Sequence, residues 1–287
     1  MNTRRGWPGL IRTGLPALGV GLGYRRELHD SIVAHQDSID CLEVISDHYL
    51  NLPTEHMTPL LSLAGQLPVV PHGIDLSIGT SGELDGDYLD RLARLVGAIG
   101  APWCSDHLSF TRTANLEIGS LTPLLRTRVA AAEVAAKTAQ VRHHVGVPFL
   151  LENISYYLDL PGELSEAQFI TEVMEQSECF LLLDFTNLFT NSVNHGFEPE
   201  QFLADIPLER VVEVHLAGGA WSGDTLLDTH SAPVPGEVWA LFTETVSRMP
   251  ALRCVILERD QDFPSDFSEL TADLNRARGI LERTFAA

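Results

Sequence analysis

Eight short apolar runs recur along the chain, and most of them close on a histidine or a carboxylate. They are GVGLG (19–23), CLEVI (41–45), PVVPHG (68–73), PWCSDH (102–107), VPFLLEN (147–153), FLLLDF (180–185), RVVEVHLAG (210–218) and CVILERD (254–260). Near-continuous apolar runs of this length read as strands buried on both faces, which confines the chain to a mostly parallel sheet covered by helices. The runs carry His72, His107, Glu152, Asp184, His215 and Glu258 near their ends. Such a residue on a buried strand is costly unless something satisfies it. Six of them at the same end of their strands point to one shared site.

Helical stretches follow the runs, at 26–37, 54–66, 86–99, 122–144, 164–177, 198–205, 235–249 and 266–284. In the first, Leu28, Ile32 and Val33 take helical spacing with polar and charged residues between them. The Ala-rich segment 122–144 starts after Thr122-Pro123 and stops near Gly146-Val147-Pro148. Eight strand-then-helix units in 287 residues predict an α/β chain folded as one (β/α)8 TIM barrel over residues 19–287, behind a short tail at 1–18. A doubly wound sheet, which needs fewer units, is the alternative. In a barrel the functional residues come from the C-terminal ends of the strands, where this chain places its histidines and carboxylates. The connections 74–85, 108–121, 186–197 and 219–234 are long and rich in Gly, Asn, Ser and Thr, as expected of walls or lids over a site.

The formal charge of −20 disfavours a nucleic-acid partner, since non-specific binding to phosphate needs a positive surface. Cys41, Cys104, Cys179 and Cys254 lie in or beside predicted strands without a C-x-x-C pair, so they read as small core residues of a protein in a reducing, cytoplasmic compartment. A reactive thiol at Cys104, two residues before Asp106, is the lesser alternative. Arg4-Arg5 ahead of the apolar stretch from Gly14 to Gly23 superficially resembles a twin-arginine export signal. That stretch is Gly-rich and runs straight into Tyr24-Arg25-Arg26-Glu27, which suits a first strand better. No run of about 18 apolar residues is present, so no membrane helix is expected.

The candidate metal ligands are His72, His107, Glu152, Asp184, Asn187, His215, Asp228, His230 and Glu258, with no catalytic residue expected beyond them. Nitrogen and oxygen donors without thiolates suit Zn, Fe or Mn, and their number exceeds what one ion needs. His72, His107 and Glu152 form one expected set, and Glu152, Asp184, His215 and Glu258 a second. Asp228 and His230, spaced i, i+2 on an extended loop, join Asn187 in a third. Glu152, central in the strand series, is the natural bridging carboxylate. Glu43, His48, Asp106 and Asn153 stand beside these ends and are expected to line the pocket or brace the ligands. Taken singly, each histidine reads as a hydrogen-bonded structural residue and each acid as the partner of an arginine; their joint placement on one barrel face does not. His29, His35, His56, His143, His144 and His195 are expected at the surface. GVGLG lacks the G-x-G-x-x-G spacing of a dinucleotide loop and reads as tight strand packing; a G-x-S-x-G elbow and a P-loop are both absent.

Together the motifs GVGLGYR, EVISDHY, PHG, SDHLSF, LLENIS, LLLDFTN, EVHLAG, the D-T-H loop and ILERD resemble the multinuclear non-haem iron-dependent oxidases, a family that includes the oxidase of methanobactin biosynthesis. The resemblance runs from about Gly19 to Asp260 and implies a barrel of the xylose-isomerase-like superfamily. It further implies two or three iron ions of mixed Fe2+/Fe3+ state, dioxygen as co-substrate and a ribosomal precursor peptide as substrate, with cysteine its commonest target. A small partner protein that binds the peptide leader is implied as well. Endonuclease IV, a zinc nuclease of the same superfamily with a similar ligand order, is the alternative reading as a phosphodiester hydrolase. Where that nuclease has a His three residues after its Asp, this chain has Asn187 after Asp184, as the iron oxidases do. An amide oxygen is a weaker ligand and suits iron or an open position better than tight zinc. Ligands must be deprotonated, so activity is expected to fall at low pH as His72, His107, His215 and His230 take up protons.

Overall fold

In the computed structural model, which describes residues 14–113 and 116–285, eight parallel strands close into a barrel. They are β1 (Gly19–Gly23), β2 (Leu42–Ile45), β3 (Val69–Gly73), β4 (Cys104–His107), β5 (Phe149–Glu152), β6 (Phe180–Asp184), β7 (Val211–Leu216) and β8 (Cys254–Leu257). Each pairs with its neighbours in sequence, and β1 closes on β8. Arg4, Arg5 and most of the predicted tail 1–18 lie outside the described residues.

Around the barrel pack α1 (His29–Ala34), α2 (Thr58–Ala64), α3 (Gly86–Ile99), α4 (Arg128–Val145), α5 (Glu166–Glu175), α6 (Phe185–His195), α7 (Pro199–Asp205), α8 (Gly236–Thr245) and α9 (Ser268–Phe285). The sequence expectation is corrected at four places. Helix α4 starts at Arg128, because Thr127 is its cap and accepts the Ala130 N–H at 3.1 Å, while Thr122 ends a hairpin strand. The predicted loop 186–197 is largely α6, capped by the Asp184 carboxylate through the N–H of Asn187 at 2.8 Å. The predicted loops 108–121 and 219–234 are antiparallel hairpins, Phe110–Thr113 with Leu116–Thr122 and Gly218–Ser222 with Thr225–Ala232.

Strand alternation sorts the side chains into two populations. Leu42, Val44, Val69, Phe149, Leu151, Leu181, Leu183, Val255 and Leu257 face the helices and join the large outer core. Cys41, Val70, Trp103, Leu150, Leu182, Val212, Cys254 and Ile256 fill the lumen as a separate apolar plug. Two residues beyond Cys41, Val70, Trp103, Leu150, Leu182 and Ile256 the polar residues of the lumen begin: Glu43, His72, Ser105, Glu152, Asp184 and Glu258. In β7 the register slips, pairing Leu181 with Val211 but Leu182 with Glu213, so Val212 is an extra residue. Glu213 and His215 thereby continue the lumen series above Val212. At the start of the barrel, β1 brings Gly19 and Gly21 close against Asp40 and Cys41; a Cβ on Gly21 would lie 2.4 Å from the Cys41 carbonyl oxygen.

Candidate metal centre

The strand ends deliver their polar side chains to the C-terminal mouth of the barrel, into a cavity of about 340 Å³. His72, His107, Glu152, Asn187, Asp228, His230 and Glu258 line it, with Arg25, Asp260 and the apolar Ile45, Ile74 and Leu121 at its rim. Glu152 sits among three imidazoles: its Oε2 is 3.0 Å from His72 Nε2 and 3.3 Å from His107 Nε2, and its Oε1 is 3.4 Å from His215 Nδ1. His215 Nδ1 is also 3.1 Å from Glu258 Oε2, which in turn lies 3.2 Å from His230 Nδ1. His230 Nε2 faces Asp228 Oδ1 at 2.7 Å and Asp184 Oδ2 at 3.9 Å.

Three donor groups of a size to hold a cation follow from these distances, each with its atoms within 4.8 Å of one another: His72, His107 and Glu152; Glu152, Asp184 and His215; Asp184, His230 and Glu258. Glu152 is common to the first two and Asp184 to the last two. Sequence reasoning placed Asp184 only in the second set and grouped His230 with Asp228 and Asn187; in the structure His230 meets Asp184 and Glu258 as well. The second hairpin carries Asp228 and His230 over the mouth, and His230 takes a left-handed backbone, φ +48°, held by the Asp260 N–H on its carbonyl at 2.8 Å. A non-glycine residue in that region costs about 1–2 kcal/mol, a strain of the kind found where a side chain must be aimed.

Each wall histidine has one ring nitrogen held from outside and the other turned inward. His107 Nδ1 donates to the Gly73 carbonyl at 2.9 Å, His72 Nδ1 meets the Ser105 hydroxyl at 2.9 Å, and His215 Nε2 donates to Glu43 at 3.0 Å. This is how metal-binding histidines are oriented. Asn153 donates to the Asp184 carbonyl and accepts its N–H, both at 2.9 Å, while its own carbonyl takes the Asn187 amide at 3.0 Å. Asp184 and Asn187 are thus locked as a pair on the turn from β6 into α6. Glu152 Oε2, Asp184 Oδ2, Asn187 Oδ1 and His215 Nδ1 remain buried without a hydrogen-bond partner among the described residues. Buried atoms of this kind need an explanation, and a cation among them supplies one.

The electrostatics lead to the same requirement. Burial pushes Asp184 up, and the neighbouring Glu152 adds to it. Burial would also raise Glu152, but His107, His72 and His215 hold it well below the usual carboxylate range. Burial works to lower His72, yet Glu43 and Glu152 keep it up at about 10; carboxylates likewise raise His215 and His230 against burial. Among these four histidines burial wins only at His107, which is lowered. So many carboxylates in a closed site demand positive charge, from protons on the imidazoles or from cations in their place.

Not every expected residue joins this group. His48 is exposed and lines a separate rim cleft with Tyr24 and Arg26. Asp106 points away from the lumen and anchors the connection after β3, accepting the Leu76 N–H at 3.2 Å. Glu43 and Asn153 lie directly behind the group. His29 and His195 are half-buried with partners, His29 on the Tyr24 hydroxyl at 3.1 Å and His195 on the Tyr156 carbonyl at 2.8 Å. Sequence reasoning missed Ser105, Glu213 and Trp103, all three on lumen positions that strand parity from His107 and His215 would have found. It also missed Arg25, which pairs with Asp260 and lies 3.6 Å from Glu258.

Comparison with solved structures places the barrel among xylose-isomerase-like folds. A xylose isomerase domain protein from Planctomyces limnophilus superposes with a TM-score of 0.61 at 14% identity, covering 95% of this chain and 100% of that one. Endonuclease IV from Thermus thermophilus superposes with a TM-score of 0.57 at 16% identity, covering 93% and 100%. Likeness at such identity speaks for the fold alone. In sequence, a UPF0276 protein of Acaryochloris marina (strain MBIC 11017) is 36% identical over 262 residues, 90% of this chain and 93% of the relative. The profile of the RiPP precursor modification enzymes MbnB/TglH/ChrH, which act on ribosomally made precursor peptides, matches residues 19–282. The chain belongs to the MbnB/TglH/ChrH family of RiPP precursor modification enzymes.

Proposed function

We propose that this protein is a multinuclear non-haem iron, dioxygen-dependent oxidase that modifies a residue of a ribosomal precursor peptide, with cysteine the first candidate. The observation that carries the reading is the run of three donor groups sharing Glu152 and Asp184, with the buried Oδ1 of Asn187 beside them. An amide oxygen there favours iron with an open position over tightly held zinc.

Bound iron would activate dioxygen and lower the pKa of a coordinated thiol, as metal does for water. His72, His107 and Glu152 would hold one ion, Glu152, Asp184 and His215 a second, and Asp184, His230 and Glu258 a third, with Asn187 and Asp228 completing the set. Ile45, Ile74 and Leu121 give the mouth an apolar rim that limits water around a peptide side chain. Arg25 holds Asp260 and stands near Glu258, supplying a fixed positive charge to the acidic side of the cavity. A small partner protein that binds the peptide leader, and a cytoplasmic setting in which Cys41, Cys104, Cys179 and Cys254 stay as free buried thiols, belong to the same reading.

The test is anaerobic purification, elemental analysis, and addition of a cysteine-containing precursor peptide while watching for ferric–thiolate absorbance and oxygen uptake. Iron with peptide-dependent oxygen uptake supports the proposal. Zinc as the sole metal together with cleavage of abasic DNA would sink it in favour of the hydrolase, which the charge of −20 already disfavours.

A further inference from the structure

Beneath the donor groups lies a second polar stratum, which shares only His215 with them. Glu43 on β2, and Glu213 and His215 on β7, are 2%, 0% and 0% exposed, with ligand-type atoms within 4.8 Å of one another. Strands β2 and β7 are separated by β1 and β8 in the barrel order, so Glu43 reaches His215 across the lumen rather than along the wall. The two carboxylates are held differently. Glu213 Oε2 accepts the Trp103 indole N–H at 2.8 Å, whereas Glu43 Oε2 accepts the His215 Nε2–H at 3.0 Å. The other ring nitrogen, Nδ1, has no hydrogen bond among the described residues and faces Glu152 and Glu258.

We propose that Glu43 is a positioning residue: by accepting the Nε2–H of His215 it fixes the ring and its tautomer, so that the Nδ1 lone pair is the one offered to a cation beside Glu152 and Asp184. The inference rests on the metal reading of the site and on no particular metal or reaction. A histidine has two chemically distinct nitrogens, and the one that binds metal is decided by the hydrogen bond at the other. His107 and His72 use a backbone carbonyl and a serine hydroxyl for this purpose, both on the barrel wall. His215 turns the opposite edge of its ring to the donor groups, so its Nε2 points down the lumen, where the Glu43 carboxylate arrives from across the barrel. Glu213, two residues below His215 on the same strand, gives one oxygen to the Trp103 indole, and its other, Oε1, has no hydrogen-bond partner among the described residues, so it is Glu43 that holds the ring.

A purely electrostatic role for Glu43, as a counter-charge to the histidines, makes a different prediction, and Glu43→Gln separates the two. The amide oxygen still accepts the Nε2–H but carries no charge; Glu43→Leu removes both. The probe is Zn2+, which is diamagnetic, on protein carrying 15N-labelled histidine. In zinc-loaded wild type, His215 shows a protonated, slowly exchanging Nε2 and a metal-bound Nδ1. Glu43→Gln keeps that signature and weakens zinc by less than about 10-fold, whereas Glu43→Leu loses it and weakens the ion held by His215 by about 10–100-fold, the range for removing an orienting partner. Equal loss in the two variants overturns the positioning role in favour of charge, and undiminished zinc affinity in Glu43→Leu overturns it outright. If Glu43→Leu fails to fold, Glu43→Gln decides alone, because loss of its Nε2–H signature overturns the assignment. Wild type that holds no zinc overturns it together with the metal reading, while failure of the iron-oxidase reading leaves these zinc results standing.

Discussion

Replacing Gly21 by alanine tests why the first strand is built from GVGLG. The new Cβ would lie 2.4 Å from the carbonyl oxygen and 2.9 Å from the carbonyl carbon of Cys41, and 2.5 Å from its Sγ. Ordinary contact begins near 3.5 Å, so the backbone of β1 must part from residue 41 by about 1 Å. That same carbonyl accepts the Leu22 N–H at 3.3 Å. Overpacking costs about 1–3 kcal/mol and weakening the hydrogen bond adds about 1 kcal/mol, for about 2–4 kcal/mol in all. With an unfolding entropy of about 2.1 cal/mol/K per residue, a chain of this length gives about 0.6 kcal/mol per degree, so the Tm falls by about 3–7 °C. Adding Cys41→Ala removes the sulfur contact but not the carbonyl contact, and recovers only part of the loss. Gly97→Ala is the control: it is an exposed position within α3 with nothing within 4 Å, and the substitution gains about 0.5–1 kcal/mol. Differential scanning calorimetry of the four proteins reads all of this. A Gly21→Ala protein melting within about 1 °C of wild type would refute the claim that close approach of strands, rather than chance, put glycine there.

Stripping cations with a chelator should lower the Tm, and adding divalent metal back at pH 7 should release protons, since His72 is held up at about 10 by Glu43 and Glu152 despite burial. Calorimetric titration in buffers of different ionisation enthalpy measures the release, and proton-neutral binding would contradict it. Asn153→Ala strands the buried N–H and carbonyl of Asp184, costing about 2–4 kcal/mol by denaturant titration; a loss under about 1 kcal/mol would count against the locking role. Away from the site, burial pushes the Glu166 carboxyl up from 4.5 to about 7, so the folded state holds a proton the unfolded state has released. Its contribution is therefore whole below about pH 4.5 and is lost as pH rises to about 7, by at most about 3 kcal/mol. Glu166→Gln should match wild type at pH 4.5 and exceed it at pH 8 in thermal melts, and equal Tm values at both would rule this out.

Much of the barrel was legible because buried parallel strands are nearly apolar and their polar members stand out. His72, Glu152 and Asp184 end such runs and are found together at the mouth. Helix α6 was hidden because TNLFTNSVNH is dense in Thr, Asn and Ser, poor helix formers that here are stabilised by the Asp184 cap and by packing of Phe185 and Leu188. The hairpins after β4 and β7 carry Gly and Ser enough to read as loops, although LEIGSLT alternates like a strand at its start. His48 and Asp106 share motifs with ligand candidates but sit on the rim and on the outward face, a distinction of parity rather than composition. The Glu43–His215 contact spans 172 residues, and no local pattern encodes a meeting across the lumen.

The extra residue in β7 gives that strand a property its neighbours lack. Elsewhere in the barrel, deleting one residue would exchange inside for outside beyond the cut, sending ligand positions into the helix layer and apolar residues into the site. Val212 is already out of step with β6, so removing it would restore even pairing of Leu181 and Leu182 while Glu213 and His215 stay turned inward. The wall thus contains a single increment of length that can be taken out at the expense of a void in the plug, without inverting the strand. Two lengths of β7 are compatible with the same orientation of its ligand, and the longer one adds a valine to the floor beneath it.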